Sequence, residues 1–294
     1  MSIHQEKRAG LPLAGVRVAD FSWVISGPHC NRFLGSMGAE ITKIESGRLA
    51  ERAVERGMRV PPASRAGAFH VLNNSKLSVT LNLTHPKAQE LARQIIMVSD
   101  VVIENFAAGV MDRMGLGYES LSKMKPDLIL VAASGLGRTG PDRDYTAYGR
   151  PIHSFSGLTG LTGYEDGPPG WGATTLTDPM TGVLLVYSIL AALYHREKTG
   201  EGQYIDVSMG EATIVRIPEA IMDYTMNGRV RAPSGNFDDI MAPHGCYPTN
   251  KEDNWIAITV ESEEQWDAFC GIMGKTDLAE DPRFVDAAHR IENR

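Results

Sequence analysis

The chain has 294 residues, of which 43% are hydrophobic and 22% are charged, as in ordinary globular proteins. This composition excludes a disordered chain, a collagen-like repeat and a coiled coil. The formal net charge of −7 argues against nucleic acid or an anionic membrane as a general partner. The length fits one large α/β domain or about two domains.

The cysteines and the N-terminal residues indicate a protein of the cytoplasm. Cys30, Cys246 and Cys270 are far apart and form neither a disulfide framework nor a CxxC zinc pattern. Residues 1–10 are polar and have no apolar core of the kind that a secretory signal carries. No histidine pair near the predicted loops has the H-x3-H or HExxH spacing of a metal site, so no metal is expected.

Segments typical of strands alternate with segments typical of helices through the first half of the chain. The predicted strands are residues 16–22, 39–45, 77–83, 100–104 and 127–133. Parallel strands need intervening helices as crossover connections. We therefore predict an α/β fold with a Rossmann-like, doubly wound parallel sheet.

One predicted helix of this half has a clear start. It begins near Thr84 or His85, with Pro86 in its first turn. Its apolar positions, which include Leu91 and Val98, recur at i, i+4 and i+7. This spacing predicts an amphipathic helix that packs on the sheet.

The second half contains the longest apolar stretch, residues 183–194. We interpret it as a buried helix, because a membrane-spanning helix needs about 20 residues. Loops rich in Gly and Pro are predicted at residues 135–172 and 231–245. The remaining predicted elements are strands at residues 203–209 and 255–260 and a helix at 263–273.

These elements suggest two domains. Residues 1–220 are predicted to form a large Rossmann-like domain, and residues 221–294 a linker and the start of a smaller α+β domain. Residues 290–294 resemble the start of a helix that no glycine or cap closes. We therefore expect that a C-terminal part of the protein is missing from this chain.

A glycine-rich motif follows the last strand of the first half. Gly135, Gly137 and Gly140 match the GxGxxG pattern of dinucleotide-binding proteins. That function requires a helix directly after the motif, whereas Pro141 and polar residues follow here. The pattern therefore predicts a glycine turn at the end of a strand, and NAD is not expected as a cofactor.

Asp178 precedes the apolar helix and has two compatible interpretations. Asp followed by Pro is the usual composition of a helix N-terminus, so Asp178 is a candidate N-cap. A carboxylate held ionised by backbone N–H groups and the helix dipole can also act as a covalent nucleophile.

A basic run follows the second predicted strand. It consists of Arg48, Arg52, Arg56 and Arg59, with acidic residues between them. Two interpretations stay open: a solvated helix, or contact with phosphate. The chain contains no GxSxG, P-loop or SxxK motif, so nothing supports a serine hydrolase or an NTPase.

Several segments, read together, resemble the class III CoA-transferase family. This superfamily includes formyl-CoA transferases, carnitine CoA-transferases and α-methylacyl-CoA racemases. No single segment is specific to this family, but the order and spacing of all the segments together are specific. The matching segments are residues 13–22, 26–28, 34–45, 78–83, 100–106, 112–118, 135–141, 156–157, 198–203 and 242–248, together with Asp178 and Gly182.

The resemblance implies transfer of coenzyme A (CoA) from an acyl-CoA donor to a small carboxylic acid. Asp178 would be the catalytic nucleophile, passing through an aspartyl anhydride and an aspartyl-CoA thioester. The first domain would bind CoA and carry Asp178. The implied CoA contacts are Ser26, Leu81, Thr84, Asn105, Phe106 and Arg113.

The chain departs from the family pattern at several positions. Ser46, Ala107 and Gly149 replace residues that are charged in many members, and Arg48 is a candidate substitute for the first. A racemase needs a His near Tyr148, which is a poor base at neutral pH. Two alternatives are a racemase or epimerase and a non-catalytic CoA-binding subunit of a heteromeric transferase.

The resemblance also implies the assembly and the location of specificity. Family members form interlocked homodimers, and a heteromer with a homologous subunit is the alternative. Residues 234–239 take the place of the family's glycine-rich lid over the nucleophile, with fewer glycines. Trp23, Phe155 and Trp171 are candidates for an aromatic substrate pocket, as well as for core packing.

Overall fold

The computed structural model describes residues 10–46, 67–170 and 176–294. The chain divides into two compact units. The first comprises the described residues of Met1–Leu158 and Ala173–Ile221, and the second those of Thr159–Gly172 and Met222–Arg294.

The first unit is built on a six-stranded parallel sheet, counted over the described residues. Its strands are β1 (Arg17–Asp20), β2 (Glu40–Glu45), β3 (Lys76–Thr80), β4 (Val101–Glu104), β5 (Ile129–Ser134) and β6 (Gln203–Ser208). They lie in the order β3-β2-β1-β4-β5-β6, and each neighbouring pair is parallel. This is the strand order of a doubly wound Rossmann-type sheet, so the predicted fold class is confirmed.

Helices connect these strands, and two more follow β6. They are α1 (Ser26–Ser36), α2 (Gly67–Asn73), α3 (Pro86–Met97), α4 (Val110–Arg113), α5 (Tyr118–Leu121), α6 (Gly149–Phe155), α7 (Thr177–Thr199), α8 (Met209–Ile214) and α9 (Pro218–Asn227). A 3₁₀ turn covers Leu158–Leu161. Helix α6 and the 3₁₀ turn lie in the segment that was predicted to be loop, because its Gly and Pro content hid the short helix.

Successive residues of the central strands face opposite sides of the sheet and create two cores. On one side Val18, Ile103 and Val131 pack with Leu185 and Ile189 of α7. The other core is formed by Ala19, Val102, Leu130 and Ala132 with Ala92 and Ile96 of α3. Each fully buried aliphatic side chain contributes roughly 1.5–3 kcal/mol, so the two cores hold helices on both faces.

Helix α3 begins as predicted but packs through a different face. The His85 side chain caps it by accepting the N–H of Lys87 at 3.3 Å. Leu91 and Val98 are 42% and 62% exposed, whereas a face that contains Ala92 is buried. The helix packs through this face because small alanine side chains allow close approach to the sheet.

Helix α7 is longer than the apolar stretch that predicted it. Its 23 residues make it long and apolar enough to cross a membrane by length and composition, the one such helix in the described residues. Leu185 and Ile189 are buried in the core of the first unit, but Tyr187 and Tyr194 are 71% and 64% exposed. The predicted helix is therefore a core helix that is buried on one face only.

Among its described residues, the second unit contains an antiparallel pair of strands, the C-terminal part of α9 and three further helices. The strands are β7 (His244–Pro248) and β8 (Trp255–Thr259), and the helices are α10 (Glu263–Met273), α11 (Asp277–Glu280) and α12 (Ala287–Glu292). Trp266 and Cys270 of α10 pack with Val260 and Phe284. Strand β8 and helix α10 match their predictions, and β7 lies partly in the predicted loop.

Candidate functional site

A cleft of about 710 Å³ opens at the carboxyl ends of β1 and β4. After β1 the chain continues to β2 on one side, and after β4 it continues to β5 on the other side. The direction of the strand order therefore changes between β1 and β4. Ligands of doubly wound proteins bind at this switch point. The cleft is lined by the segments that follow β1, β4 and β5, by residues 143 and 145–148, and by the starts of α7 and α8.

Asp178 lines this cleft from the first turn of α7 and is 7% exposed. Its carboxylate accepts a hydrogen bond from the backbone N–H of Ser26, the first residue of α1. The N–H groups of a first helical turn have no partner within their own helix, so this donor is available. Leu176 occupies the N-cap position of α7, and the interpretation of Asp178 as the cap was wrong.

Gly182 lets α1 approach α7 closely enough for this hydrogen bond. A β-carbon at Gly182 would lie 2.8 Å from the carbonyl oxygen of Ser26 and 3.0 Å from the ring of His29. Both distances are shorter than ordinary van der Waals contact, so only glycine fits without displacing α1. The residue one turn after Asp178 therefore sets the position of its hydrogen-bond donor.

Burial raises the pKa of the Asp178 carboxyl group to about 6, against the opposing effect of the Ser26 N–H. The sequence predicted that N–H groups and the helix dipole would hold the carboxylate ionised and oriented. The loss of water around the charge outweighs them. At neutral pH the group is still mostly ionised, and it is more basic than an ordinary aspartate, which favours nucleophilic attack.

This pKa predicts that Asp178 destabilises the folded chain at neutral pH. Folding takes up a proton between about pH 4 and 6, so the free energy of unfolding falls as pH rises across that interval. Asp178→Asn should therefore be more stable than the parent at pH 7.5 by on the order of 3 kcal/mol, with the difference shrinking below pH 6. Urea unfolding at several pH values measures this. Asp166→Asn, at an exposed loop position, serves as control and should match the parent throughout.

Asn105 joins the two loops that form the cleft at the switch point. Its side-chain oxygen accepts the N–H of Trp23 at 2.9 Å, and its amide nitrogen donates to the carbonyl of Trp23 at 2.8 Å. The same nitrogen lies 3.5 Å from the hydroxyl of Ser26. Phe106 follows and packs against Trp23 with ring centroids 6.4 Å apart. Ser26, Asn105, Phe106 and Asp178 thus lie in one cleft.

The family model of CoA-transferase family III covers residues 13–294. The chain belongs to this family.

The relatives that this CoA-transferase resembles are themselves named CoA-transferases. It is 37% identical over 285 residues to the succinyl-CoA–L-malate CoA-transferase beta subunit of Chloroflexus aurantiacus, covering 96% of this chain and 69% of the relative. It is 36% identical over 283 residues to the acetyl-CoA:oxalate CoA-transferase of Acetobacter aceti, covering 96% and 72%. A CAIB/BAIF family protein from Brucella suis has the same fold, with a TM-score of 0.86, 30% identity and coverage of 97% and 75%.

Three predicted CoA contacts of this CoA-transferase lie outside the cleft lining. Leu81 is partly buried against the core that α3 covers. Thr84 is exposed, and its hydroxyl donates to the side chain of Asn82 at 2.8 Å. Arg113 is exposed at the end of α4, the helix whose Val110 lines the cleft. Their roles stay predictions.

The cleft of the CoA-transferase also contains residues that the sequence did not reveal. Arg143 and Tyr145 line it from the loop after β5, where the only available signal was position at the carboxyl end of a strand. Trp23 lines the cleft and Phe155 does not. Trp171 and the basic run lie outside the described residues.

Two further sequence features, the glycine motif and His153, can be located in the fold. Residues 135–148, after β5, form turns and bends without a helix, as predicted for the glycine motif. His153 is buried in α6 and is not among the residues that line the cleft. In the described part of the chain, no group of three or more His, Cys, Asp or Glu side chains could hold a metal ion.

Proposed function

We propose that this CoA-transferase moves CoA between carboxylic acids through covalent intermediates on Asp178. The observation that carries the proposal is the position of this carboxylate. It is buried where the N-termini of α1 and α7 meet, and it still opens into the cleft at the switch point. A basic carboxylate beside a cavity large enough for the arm of a cofactor is suited to attack a thioester.

The proposed reaction has four balanced steps. An Asp178 oxygen attacks the thioester carbon of the donor, the C–S bond breaks, and CoA leaves as a thiolate. The thiolate attacks the Asp178 carbonyl carbon of the resulting anhydride and releases the donor acid. The acceptor carboxylate then attacks the aspartyl-CoA thioester, and CoA leaves again. Finally the thiolate takes the acceptor acyl group, and Asp178 is restored.

The N–H of Ser26 has a role in the second and third of these steps, in which the thiolate and then the acceptor carboxylate attack the Asp178 carbonyl carbon. Negative charge develops on the Asp178 carbonyl oxygen whenever a nucleophile attacks its carbon. A backbone N–H already aimed at this carboxyl group stabilises that charge without rearrangement. Burial of the group excludes water, which would otherwise hydrolyse the anhydride and the thioester.

We further propose that the acceptor is a small dicarboxylic acid. The two relatives above are named for L-malate and oxalate. Arg143 is the only cationic side chain among the described residues that line the cleft. A guanidinium group binds a carboxylate through two parallel hydrogen bonds. Arg143 is therefore the candidate partner of the carboxylate that does not react.

Mass spectrometry of the intact chain tests the covalent mechanism. Incubation with succinyl-CoA or acetyl-CoA should give a CoA-sized adduct, and fragmentation should place it on Asp178. Adding oxalate or malate should remove the adduct and release the new acyl-CoA, whereas acetate should remove it more slowly. Acyl transfer without any adduct on Asp178 would refute the mechanism.

The same experiment separates the alternatives. Tyr148 lines the cleft where a racemase would need a His, which supports transfer over racemisation. A racemase would exchange the substrate α-proton with solvent and form no adduct. The name of the Chloroflexus relative, a beta subunit, supports a heteromer. A homodimer would form the adduct alone, whereas a non-catalytic subunit would need a homologous partner.

A further inference from the structure

A cluster of buried charges lies beside the cleft and takes no part in the proposed chemistry. Asp20, the last residue of β1, is fully buried. The Lys76 Nζ lies 3.1 Å from its carboxylate, and the Lys43 Nζ lies 4.0 Å away. The two lysine side chains are 2% and 9% exposed. Removing three charges from water is strongly unfavourable, so the cluster needs extra hydrogen bonds to compensate.

The cluster finds these hydrogen bonds in the turn from β1 to α1. The Ser22 N–H donates to the Asp20 carboxylate at 2.9 Å, and the Ser22 carbonyl accepts from the Lys43 Nζ at 2.9 Å. The Ser22 hydroxyl also donates to Asp20. Lys76 reaches the Pro28 carbonyl at 3.3 Å. The charges therefore hold the turn at Ser22 and the first turn of α1 at Pro28.

This turn has a conformation that needs support. Val24 has φ of 63°, in the left-handed region that a β-branched residue rarely adopts. Such a conformation is unfavourable and persists only where its surroundings enforce it. The turn is also tightly closed, because a β-carbon on Gly27 would overlap the side chain of Ser22. A shift of Ser22 would therefore move the start of α1.

We propose that Lys43, Lys76 and Asp20 are positioning residues for CoA transfer. They fix the strained turn, and the turn directs the Ser26 N–H at the start of α1 toward Asp178. None of the three lines the cleft. The inference rests on the proposed role of Asp178 and adds the structure that maintains its hydrogen-bond donor.

Strand β4 offers a matched comparison. Glu104, its last residue, is buried, and its carboxylate accepts the N–H of Phe106 at 2.8 Å. Arg138 pairs with this carboxyl group, although burial still raises its pKa to about 7. The geometry repeats that of Asp20 and Ser22, but it supports the loop after β4, whose Asn105 and Phe106 line the cleft. Glu104→Gln therefore perturbs a buried carboxyl group at the end of β4 and leaves the Asp20, Lys43 and Lys76 side chains in place.

The decisive variant is Lys43→Met, which removes the donor to Ser22 and leaves the Asp20–Lys76 pair in place. We expect kcat to fall about 10-fold or more, with the KM for acyl-CoA within about threefold of the parent. Because the Ser26 bond lowers the Asp178 pKa, its loss should move the acid limb of kcat above pH 6. Lys43→Arg, which keeps charge and donor, should restore both.

Other charges near Asp178 must be considered when this pH profile is read. The charged side chains and histidines on the elements packed against α7 are His29, Arg32, Arg150, His153, Asp206 and Glu211. The pKa of Asp178 follows from burial and from Ser26 rather than from these groups. The variants leave all six unchanged.

The controls separate positioning from simple loss of stability. Glu104→Gln should raise the KM for acyl-CoA more than it lowers kcat, and should leave the acid limb in place. If Lys43→Met does not fold, Ser22→Ala replaces it, with the same expected direction. A parent-like pH profile in the folded variant would overturn the inference while the parent still forms its Asp178 adduct. A parent that forms no adduct refutes the proposed mechanism and the inference together.

Discussion

Replacing Asp178 with alanine should abolish CoA transfer, with a loss on the order of 10³-fold or more in kcat. The reason is that no other carboxylate among the described residues lines the cleft, so none can form the acyl and CoA adducts. Transfer between succinyl-CoA and oxalate, followed by chromatography of the CoA esters, measures this loss.

CoA binding provides the control for this variant. Calorimetry should show that Asp178→Ala binds CoA with an affinity within a few fold of the parent, because the loops of Trp23 and Asn105 are intact. Substantial residual transfer, or a CoA adduct on another residue, would contradict the assignment. Loss of CoA binding together with activity would show that the substitution damaged the cleft rather than the chemistry.

The second large effect is expected at Gly182, which touches no substrate. In Gly182→Ala the new methyl group displaces α1 from α7 and lengthens the hydrogen bond between Ser26 and Asp178. We expect kcat to fall about 10- to 100-fold, because one preorganised donor to a developing oxyanion is typically worth this much or more. Steady-state kinetics, with thermal unfolding of the same samples, measures the change.

Gly271 supplies a matched control for this substitution. It lies inside helix α10, and a β-carbon there would have no atom within 4 Å. Gly271→Ala should therefore stabilise the chain by about 0.5–1 kcal/mol, the ordinary helix preference of alanine over glycine, and leave transfer unchanged. Equal kinetic losses in the two variants would show that the close approach of α1 to α7 has no specific effect on catalysis.

Much of the first unit could be predicted because its pattern is local. Buried parallel strands are short and rich in β-branched residues, and intervening helices imply crossovers. This logic located β1 to β6. It failed for α6, whose Gly149 and Pro151 are typical of a loop, and for β7, which contains Gly245 and ends at Pro248. In both, tertiary contacts override the local preference.

The candidate site could be predicted only in part, for a physical reason. Asp178 was identifiable from its position before a long helix and from the family resemblance. Its hydrogen bond to Ser26 depends on how two helices distant in sequence cross at Gly182, which no local pattern encodes. The buried position of Lys43 was equally hidden, because a lysine in a strand is normally solvated.

The raised pKa of Asp178 has a consequence for engineering this enzyme. The carboxylate opposes folding at the pH where it works, so a screen for heat tolerance alone would reward its loss. Populations selected in this way should accumulate stable but inactive proteins with a neutral residue in place of Asp178. Any search for a more robust catalyst of this fold therefore has to score turnover in the same round as survival.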